Sequence, residues 1–515
     1  MSWSRYSKNM IWYSIFKGLW TREPVGDIPT DPKKNETYLA QATNVYAPGI
    51  STVLRKRPGF TQVRSTAINA SGIFTSLVHQ GEIADRMLMT VSIAGTSHNI
   101  YQDSANPPAA IAGGTNFTIG ADNLVDYGHF TDGTNPGTIL ISRLRNLPQF
   151  INASGTRSNF TIAGTGLTSL LPSIMEIFGQ RALYGNCDND GTVFDDRVYW
   201  SAVRDGNAVT DDTTDFESFE TKDKDRVRAI RKISDICMVG KLNNVFTLIL
   251  TPEASRPFSI QEEPGGRLKG PVSQQACLEA DQRLYWLGQT GIHSLDSRFQ
   301  IKDWADQIAP TIEGLNDTDR REFSIAGYDP HSNIIQFCVS DGTDTTHKTV
   351  IALNIKTGAI YIWTDSRNAY GYRFVSDEHR LIGGGYTGFF YNEMQTGSDG
   401  NLDDATAVID ADVFTPRFWL NAYGHKQKVP LIYLSVDPIG SESLTVQFRL
   451  DDSTQWSDPT GSPYAVSGTD HDMLLVPIRA WAERIQLRFR NNTASAVYSV
   501  KAVGIPSAVP TLVPA

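Results

Sequence analysis

The chain has 515 residues and a formal net charge of −10, with 40% hydrophobic and 20% charged residues. Its 42 Gly and 25 Pro are close to average usage, which excludes a low-complexity chain, and the hydrophobic content is sufficient for a sizeable core. The negative net charge argues against a protein that binds nucleic acid over its whole surface, although DNA can slide through an acidic conduit without binding to it.

The N-terminal segment contains an apolar stretch, MIWYSIFKGLW, at residues 10–20. Ser14 and Lys17 interrupt this stretch and no small-residue cleavage site follows it, so it is a poor signal peptide. No apolar run in the sequence approaches the ~18 residues that a membrane-spanning helix needs. We therefore predict no membrane span.

Residues 42–63, ATNVYAPGISTVLRKRPGFTQV, are typical of a β-hairpin. Val45–Tyr46 would form the first strand, Pro48–Gly49 the turn and Thr52–Leu54 the start of the returning strand. Residues 1–65 are accordingly predicted to form an N-terminal arm and a first hairpin that can pack on the next domain. A small basic set on this segment is expected to contact an acidic neighbouring subunit: Arg55, Lys56, Arg57 and Arg64.

Short β-rich runs separated by Gly, Asn and Asp turns dominate the chain, and the best helical candidate is the short segment SLLPSIMEIF, residues 169–178. One pattern recurs, in which a strand is followed by a polar turn and by a second apolar strand. It occurs at residues 86–103, 138–153, 181–203, 243–261, 282–296, 333–365 and 379–393. Small sheets of this kind bury their faces by packing around an axis. Residues 66–400 are therefore predicted to form an irregular β-propeller of about six to seven blades, with a pair of ordinary β-sandwiches as the alternative.

The pattern changes at GSDGNLDDATAV, residues 397–408, which is polar and acidic. The strands that follow alternate at a spacing of roughly 15 residues and lack the repeated pattern. They predict a C-terminal β-sandwich over residues 401–515, so that the whole chain is all-β.

The strongest charge run is TKDKDRVRAIRKI, residues 221–233. On a strand or loop it would suit a finger that contacts DNA phosphates or a partner protein, whereas a solvated blade edge is the alternative. The candidate contact residues are Lys222, Lys224, Arg226, Arg228, Arg231 and Lys232.

No group of residues indicates catalysis, a cofactor or a metal. The four cysteines (187, 237, 277 and 338) lack CxxC or Cys/His spacing, and we expect buried free thiols in a reducing compartment. The nine histidines form no HxH or HExxH motif, and there is neither a G-x-S-x-G elbow nor a Walker loop. RLDDSTQWSD, residues 449–458, resembles a sialidase Asp-box only faintly, and such boxes are structural. We therefore expect a protein that is not an enzyme.

Several of these stretches resemble, in order, those of virion proteins of short-tailed bacteriophages of the tail-nozzle and head-completion type, including the packaged-DNA stabilisation proteins. The first is ATNVYAPGISTVLRKRPGF, with its Asn-Val, Gly turn and Arg-x-Arg-Pro-Gly ending. IFGQRALYGN…DDRVYWSAV and GRLKGPVSQQACLEADQRLYWLGQTGIHSLD follow, and then SVDPIG and QFRLDDSTQWSD. The resemblance spans residues 40–490, and the first 30 residues match nothing in it.

The resemblance implies a homo-oligomeric ring of six copies that closes the portal exit, retains packaged DNA and conducts it during ejection. Its partners would be the adaptor or portal-side proteins, the tail fibre or tail tip proteins and double-stranded DNA in transit. The protein would be made in the host cytoplasm and reside in the virion tail. The alternative function is a carbohydrate-binding or glycan-degrading propeller, such as a sialidase-like depolymerase.

Overall fold

The computed structural model describes residues 10–24, 27–31, 33–48, 50, 53–81, 83–211, 214–253, 255–314, 321–340, 344, 346–375, 378–395, 408–420, 425–436, 443–465, 472–492 and 499–506. Strands dominate these residues, and helix is confined to short segments such as α1 (Ala309–Glu313) and the 3-10 turns Pro264–Gly266 and Asp306–Ile308. Within the described ranges, no helix has the length and apolarity to cross a membrane.

The N-terminal segment forms eight short strands that join sheets elsewhere in the molecule. They are β1 (Met10–Tyr13), β2 (Ile15–Leu19), β3 (Thr30–Asp31), β4 (Glu36–Leu39), β5 (Gln41–Thr43), β6 (Val45–Tyr46), β7 (Leu54–Lys56) and β8 (Gly59–Gln62). β6 and β7 pair antiparallel, with Val45 opposite Lys56 and Tyr46 opposite Arg55, as the hairpin pattern predicts. Three residues of the expected turn and return strand, Gly49, Ser51 and Thr52, lie outside the described residues.

The middle of the chain folds into successive antiparallel sheets. The first consists of β9 (Gly72–His79), β10 (Met87–Ile93), β11 (Ser97–Gln102) and β12 (Ala109–Ala110), and the second of β13 (Val125–Thr131), β14 (Pro136–Ser142), β15 (Gln149–Asn152) and β16 (Arg157–Asn159). The third is larger and contains β17 (Ile162–Thr165), β18 (Leu167–Phe178), β19 (Arg181–Asn189), β20 (Thr192–Trp200), β21 (Ala208–Asp211) and β22 (Phe216–Ser218).

Four further sheets continue the series. The fourth consists of β23 (Ala229–Ile233), β24 (Ile236–Gly240), β25 (Val245–Leu250) and β26 (Phe258–Glu262), and the fifth of β27 (Cys277–Ala280), β28 (Arg283–Leu287), β29 (Ile292–Asp296) and β30 (Ile301–Asp303). The sixth contains β31 (Ile325–Asp329), β32 (Ile334–Val339), β33 (Thr349–Asn354) and β34 (Ile360–Thr364). The seventh contains β35 (Ala369–Val375), β36 (Glu378–Gly384) and β37 (Phe390–Gln395), with β8 as its fourth strand.

The seven sheets are the blades of a closed β-propeller, which confirms the predicted fold class. The innermost strands β9, β13, β18, β23, β27, β31 and β35 contact one another in chain order, and β35 returns to contact β9. The ring is closed by β8, which pairs with β37 from the opposite end of the domain, with Thr61 opposite Asn392. One strand of the propeller therefore comes from within the predicted N-terminal segment of residues 1–65.

Each of the seven sequence units lies within a different blade and covers strands outside the innermost one. Second strands such as β10 and β32 are buried along their whole length, because neighbouring blades cover both of their faces. The helical candidate SLLPSIMEIF is instead part of β18, the innermost strand of the third blade, so that expectation was wrong. A short apolar run gives no periodicity that separates a buried strand from a helix, and pairing with β19 decides the outcome here.

The sixth blade connects the propeller to the ends of the chain. Its outer strand β34 pairs in parallel with β2 and β5. Gly18, with φ of +88°, allows this contact, because a Cβ there would lie 2.5 Å from the Ile360 nitrogen. Asn44 donates to Thr364 Oγ1 over 2.8 Å, and the Trp363 indole donates to the Val45 carbonyl over 2.7 Å.

The C-terminal strands pair with these N-terminal strands in two sheets. They are β38 (Ala411–Phe414), β39 (Phe418–Trp419), β40 (Gln427–Val436), β41 (Ser443–Leu450), β42 (Tyr464–Ala465), β43 (Asp472–Ala482), β44 (Arg484–Asn491) and β45 (Ser499–Pro506). One sheet has the order β43-β40-β45-β7-β6 with β1 on β45, and the other contains β5-β38-β44-β41-β42 and continues into the sixth blade. We call this part of the molecule the terminal body. Its classification as the expected β-sandwich stays a prediction, and its sheets use residues from both ends of the chain.

Acid should destabilise the first blade through His98, which is fully buried. Its Nε2 lies 2.8 Å from Thr75 Oγ1 and its Nδ1 lies 2.8 Å from the Thr118 carbonyl oxygen. Burial lowers the pKa of His98 to about 4, whereas an unfolded histidine titrates near ~6.5. Protons therefore bind the unfolded chain first, so the stability that neutral His98 contributes is complete above pH ~6.5 and is lost as the pH falls toward 4.

Urea unfolding at neutral and at mildly acidic pH tests this expectation. We expect the His98→Asn variant to lose about 2 kcal/mol less stability than the wild type on acidification. The exposed His331 provides the control, and His331→Asn should keep the wild-type pH dependence. An unchanged pH dependence in His98→Asn would contradict the assignment.

Candidate functional site: the axial channel

The innermost strands of the propeller enclose an axial cavity of about 410 Å³. Side chains from all seven blades line it, including Thr75, Asp126, Glu176, Arg231, Leu278, Gly327 and Tyr370. A propeller places these residues together because each blade contributes one strand to the axis. The cavity is therefore the part of the fold where residues distant in sequence meet.

A network of hydrogen bonds and ion pairs connects the inner strands of blades two to five. Gln274 donates through its amide to Asp126 Oδ2 over 2.8 Å and to the Met175 carbonyl over 2.9 Å, and it accepts from the Ile230 nitrogen over 2.8 Å. Arg231 lies 3.4 Å from Asp126 and 3.7 Å from Glu176, and it donates to the Cys277 carbonyl over 3.1 Å. The network thus connects four consecutive inner strands.

The two kinds of charge in this network stabilise each other. Burial raises the pKa of the Glu176 carboxyl above its ordinary value, and the nearby Arg231 offsets only part of that rise. Burial by itself lowers the pKa of Arg231, but Asp126 and Glu176 outweigh it and leave that pKa above its ordinary value. Asp126 and Glu176 are thus engaged by a cation, which suits a structural role better than acid–base chemistry.

A second group of charged residues lies at the end of the channel where the chain enters the inner strands. Glu322 accepts from Arg143 and from Arg228 over 2.5 Å each, and it also pairs with Arg226. Arg145, beside Arg143, pairs with Asp195 over 2.8 Å and donates to Asn186. All of these residues except Asp195 line a cavity of about 460 Å³, which we call the mouth cavity.

The predicted contact residues are distributed along this axis. Arg226 and Arg228 line the mouth cavity, and Arg231 and Lys232 line the axial cavity. Lys222 and Lys224 are exposed on the loop that precedes β23. The basic run of residues 221–233 therefore covers the loop before β23 and β23 itself, and four of its six cations face the propeller axis. Contact with DNA or a partner stays a prediction.

The residues predicted for the subunit interface are placed differently. Lys56 and Arg57 are only 2% and 3% exposed. Arg57 donates to Asn44 Oδ1 over 3.2 Å and to the Thr364 carbonyl over 2.9 Å, so it joins the N-terminal segment to the sixth blade. Arg64 pairs with Asp103 of the first blade over 2.6 Å. Arg57 is thus engaged within the chain, and contact of this basic set with another subunit stays a prediction.

No sequence pattern predicted that Asp126, Glu176, Arg143 and Glu322 would lie at the propeller axis. Asp126 and Glu176 are single charges in otherwise ordinary strands, Arg143 and Glu322 belong to short charged loops, and only the closure of the ring brings the four residues to the axis. Within the described ranges, no three His, Cys, Asp or Glu residues are grouped so that they could hold a metal ion. All four cysteines are buried free thiols, and burial raises the pKa of the Cys277 thiol beside the network to about 12.

Comparisons with known proteins yield likeness of fold alone. No protein-family model matches the chain, and no curated protein matches it. Among solved structures, a streptogramin B lyase is 10% identical with a TM-score of 0.39, over 66% of this chain and 98% of that one. The Pan2 WD40 domain of Neurospora crassa is 8% identical with a TM-score of 0.38, over 67% of this chain and 96% of that one. The extracellular domain of a one-component system from B. thetaiotaomicron is 10% identical with a TM-score of 0.42, over 94% of this chain and 64% of that one. At these scores the activities of those proteins have no bearing on this chain.

Proposed function

We propose that this protein is a structural subunit of a short-tailed bacteriophage tail, of the nozzle or head-completion type. Six copies form a ring that closes the portal exit, retains packaged DNA and conducts it during ejection. Its neighbours are adaptor or portal-side proteins on one side and tail fibre or tail tip proteins on the other. The order of the sequence resemblances motivates the proposal.

The observation that carries it is an apolar outer face on the terminal body. Leu475 lies opposite Tyr433, Tyr433 opposite Gly504, and Gly504 opposite Trp12, so these four form one row across the sheet. Trp12 packs over Gly504, where a Cβ would come within 2.9 Å of its ring, and its centroid is 6.3 Å from that of Tyr433.

The same face continues along the strand β43. Leu475 is 53% exposed and Trp481 is 64% exposed, Pro477 and the exposed Arg479 lie between them, and Lys428 lies opposite Trp481. The opposite face of this sheet, with Ile432 and Val476, is buried in the core. Large apolar side chains that are exposed on one face of a sheet are typical of a surface that another protein covers, and apolar surfaces of this kind are characteristic of permanent oligomers. A second copy of this chain is the occupant that a ring requires.

The remainder of the molecule suits a mechanical part. The ring of blades is closed by β8 and fixed to the terminal body through β34, and its axial carboxylates are paired with Arg231. The acidic net charge suits a conduit past which DNA must move without binding.

A complementation experiment tests the proposal in a phage from which the coding sequence of this chain has been deleted. Wild-type protein should restore infectious, DNA-filled particles with a sixfold ring, and particles without it should lose their DNA. The L475E/W481E variant should stay folded but fail to enter particles, because two carboxylates would be buried in the subunit contact. The matched control V203E/L250E changes two exposed apolar residues of the propeller and should complement.

Three outcomes would contradict the proposal. They are DNA retention without the chain, complementation by L475E/W481E, and absence of the protein from purified particles. Shortening of host polysaccharide by the purified protein would favour the glycan-degrading alternative instead.

A further inference from the structure

The residues that line the mouth cavity include a cluster of arginines. Four arginines line it, Arg143 and Arg145 from the loop after β14 and Arg226 and Arg228 from the segment before β23, against the two carboxylates of Asp122 and Glu322. The formal balance of these lining residues is therefore four minus two, or +2, and the two carboxylates that pair with Arg145 and Arg228 from outside the lining, Asp195 and Asp225, bring it to zero. Guanidinium groups cluster in this way where they recognise the planar oxygens of carboxylate or phosphate groups.

Glu322 is the common acceptor of three of these arginines. Its Oε2 accepts from Arg143 and Arg226 and its Oε1 accepts from Arg228, so one carboxylate satisfies guanidinium groups from two different blades. Arg228 also pairs with Asp225 over 3.2 Å. Burial lowers the pKa of Arg143 to about 10, and the neighbouring Arg226 and Arg228 contribute to this while Glu322 opposes it.

Glu322 and its arginine partners lie on different segments of the chain. Glu322 lies between α1 and β31, whereas Arg143 lies in the loop after β14 and Arg226 and Arg228 lie before β23. The Arg226 side chain is 35% exposed and faces the cavity, so a ligand can reach it from solvent.

We propose that the mouth cavity binds a phosphate-type oxyanion and that Glu322 is an intramolecular competitor for its arginines. An oxyanion with two or more negative charges would accept from Arg143, Arg226 and Arg228 together in place of Glu322. The anion can be free inorganic phosphate or pyrophosphate, or a phosphate group of nucleic acid. This inference does not depend on the phage function proposed above.

Calorimetric titration of the full chain with inorganic pyrophosphate tests the inference, and a short DNA duplex provides a second arm. We expect pyrophosphate to bind, the Glu322→Gln variant to bind it about tenfold more tightly, and Arg226→Ala to bind it at least about tenfold more weakly. Binding of the duplex with the same response to both variants would identify nucleic acid as a source of the anion, whereas binding of pyrophosphate alone would identify a free anion.

The exposed lysines of the adjacent loop provide the matched control. Lys222→Ala/Lys224→Ala removes two cations outside the cavity and should leave the pyrophosphate affinity unchanged. The inference is overturned if millimolar pyrophosphate gives no heat with either wild type or Glu322→Gln, if Glu322→Gln does not bind more tightly, or if the lysine variant weakens binding as much as Arg226→Ala. Should Glu322→Gln fail to fold, the comparison of Arg226→Ala with the lysine variant decides the question.

Discussion

Replacing Arg367 with Met should lower the free energy of unfolding by about 3–5 kcal/mol. Arg367 is 3% exposed and lies 2.7 Å from Asp365 and 2.5 Å from Glu393, both of which are also buried. Its guanidinium stacks on Phe60 of the closing strand at 4.0 Å and lies near Tyr391 of β37 at 4.8 Å. Without the cation, two carboxylates would stay buried beside each other where the ring closes.

The control for this variant is Arg373→Met, on the inner strand of the same blade. Arg373 is one-third exposed and its carboxylate partner, Asp103, is 3.8 Å away, so we expect a loss below about 1 kcal/mol. Urea unfolding followed by tryptophan fluorescence measures both variants. Equal losses in the two variants would show that Arg367 does not hold the closing strand in place.

Replacing Arg231 with Met should cost about 3 kcal/mol at neutral pH and less in mild acid. This arginine is the cation that faces both Asp126 and Glu176 in the axial channel. Burial already raises the pKa of Glu176, and removal of Arg231 would raise it further. The folded variant would then bind a proton that the unfolded chain releases, so its stability is retained below the ordinary glutamate pKa and is lost as the pH rises through the raised one.

The pH dependence separates this explanation from a simple loss of packing. The double variant Arg231→Met/Glu176→Gln removes the titrating carboxylate and should recover part of the stability at neutral pH, with a flatter pH profile. Urea unfolding across the range from mild acid to neutral pH measures both. A deficit in Arg231→Met that is the same at every pH would rule out the role of Glu176.

Much of the propeller could be predicted from the sequence, because its second strands are largely apolar on both faces. Strands such as Met87–Ile93 and Ile334–Val339 lie between neighbouring blades, and their apolar runs recur between Gly and Asp turns. The innermost strands have a less regular apolar pattern and were harder to predict as strands. In Val125–Thr131 the apolar residues alternate irregularly with Asp126 and His129, because one side of that strand faces a polar channel.

Other features depend on contacts between distant parts of the chain. No local pattern indicates that Gly59–Gln62 pairs with Phe390–Gln395, because the register of a closing strand is set by the blade it completes. Arg57 is a second example. Its charge predicts an exposed side chain, but contacts with Asn44 and with the distant Thr364 bury it.

The sequence by itself determined the all-β class, the repeating units and the position of the main basic run, because strand periodicity, turn residues and charge are local properties. The tertiary structure alone decided that Arg226 and Arg228 meet Glu322 and that Arg231 meets Asp126 and Glu176. Closing seven blades around one axis brings these side chains, which are 55 to 105 residues apart in sequence, within a few ångströms of each other, and no property of a short segment predicts that contact.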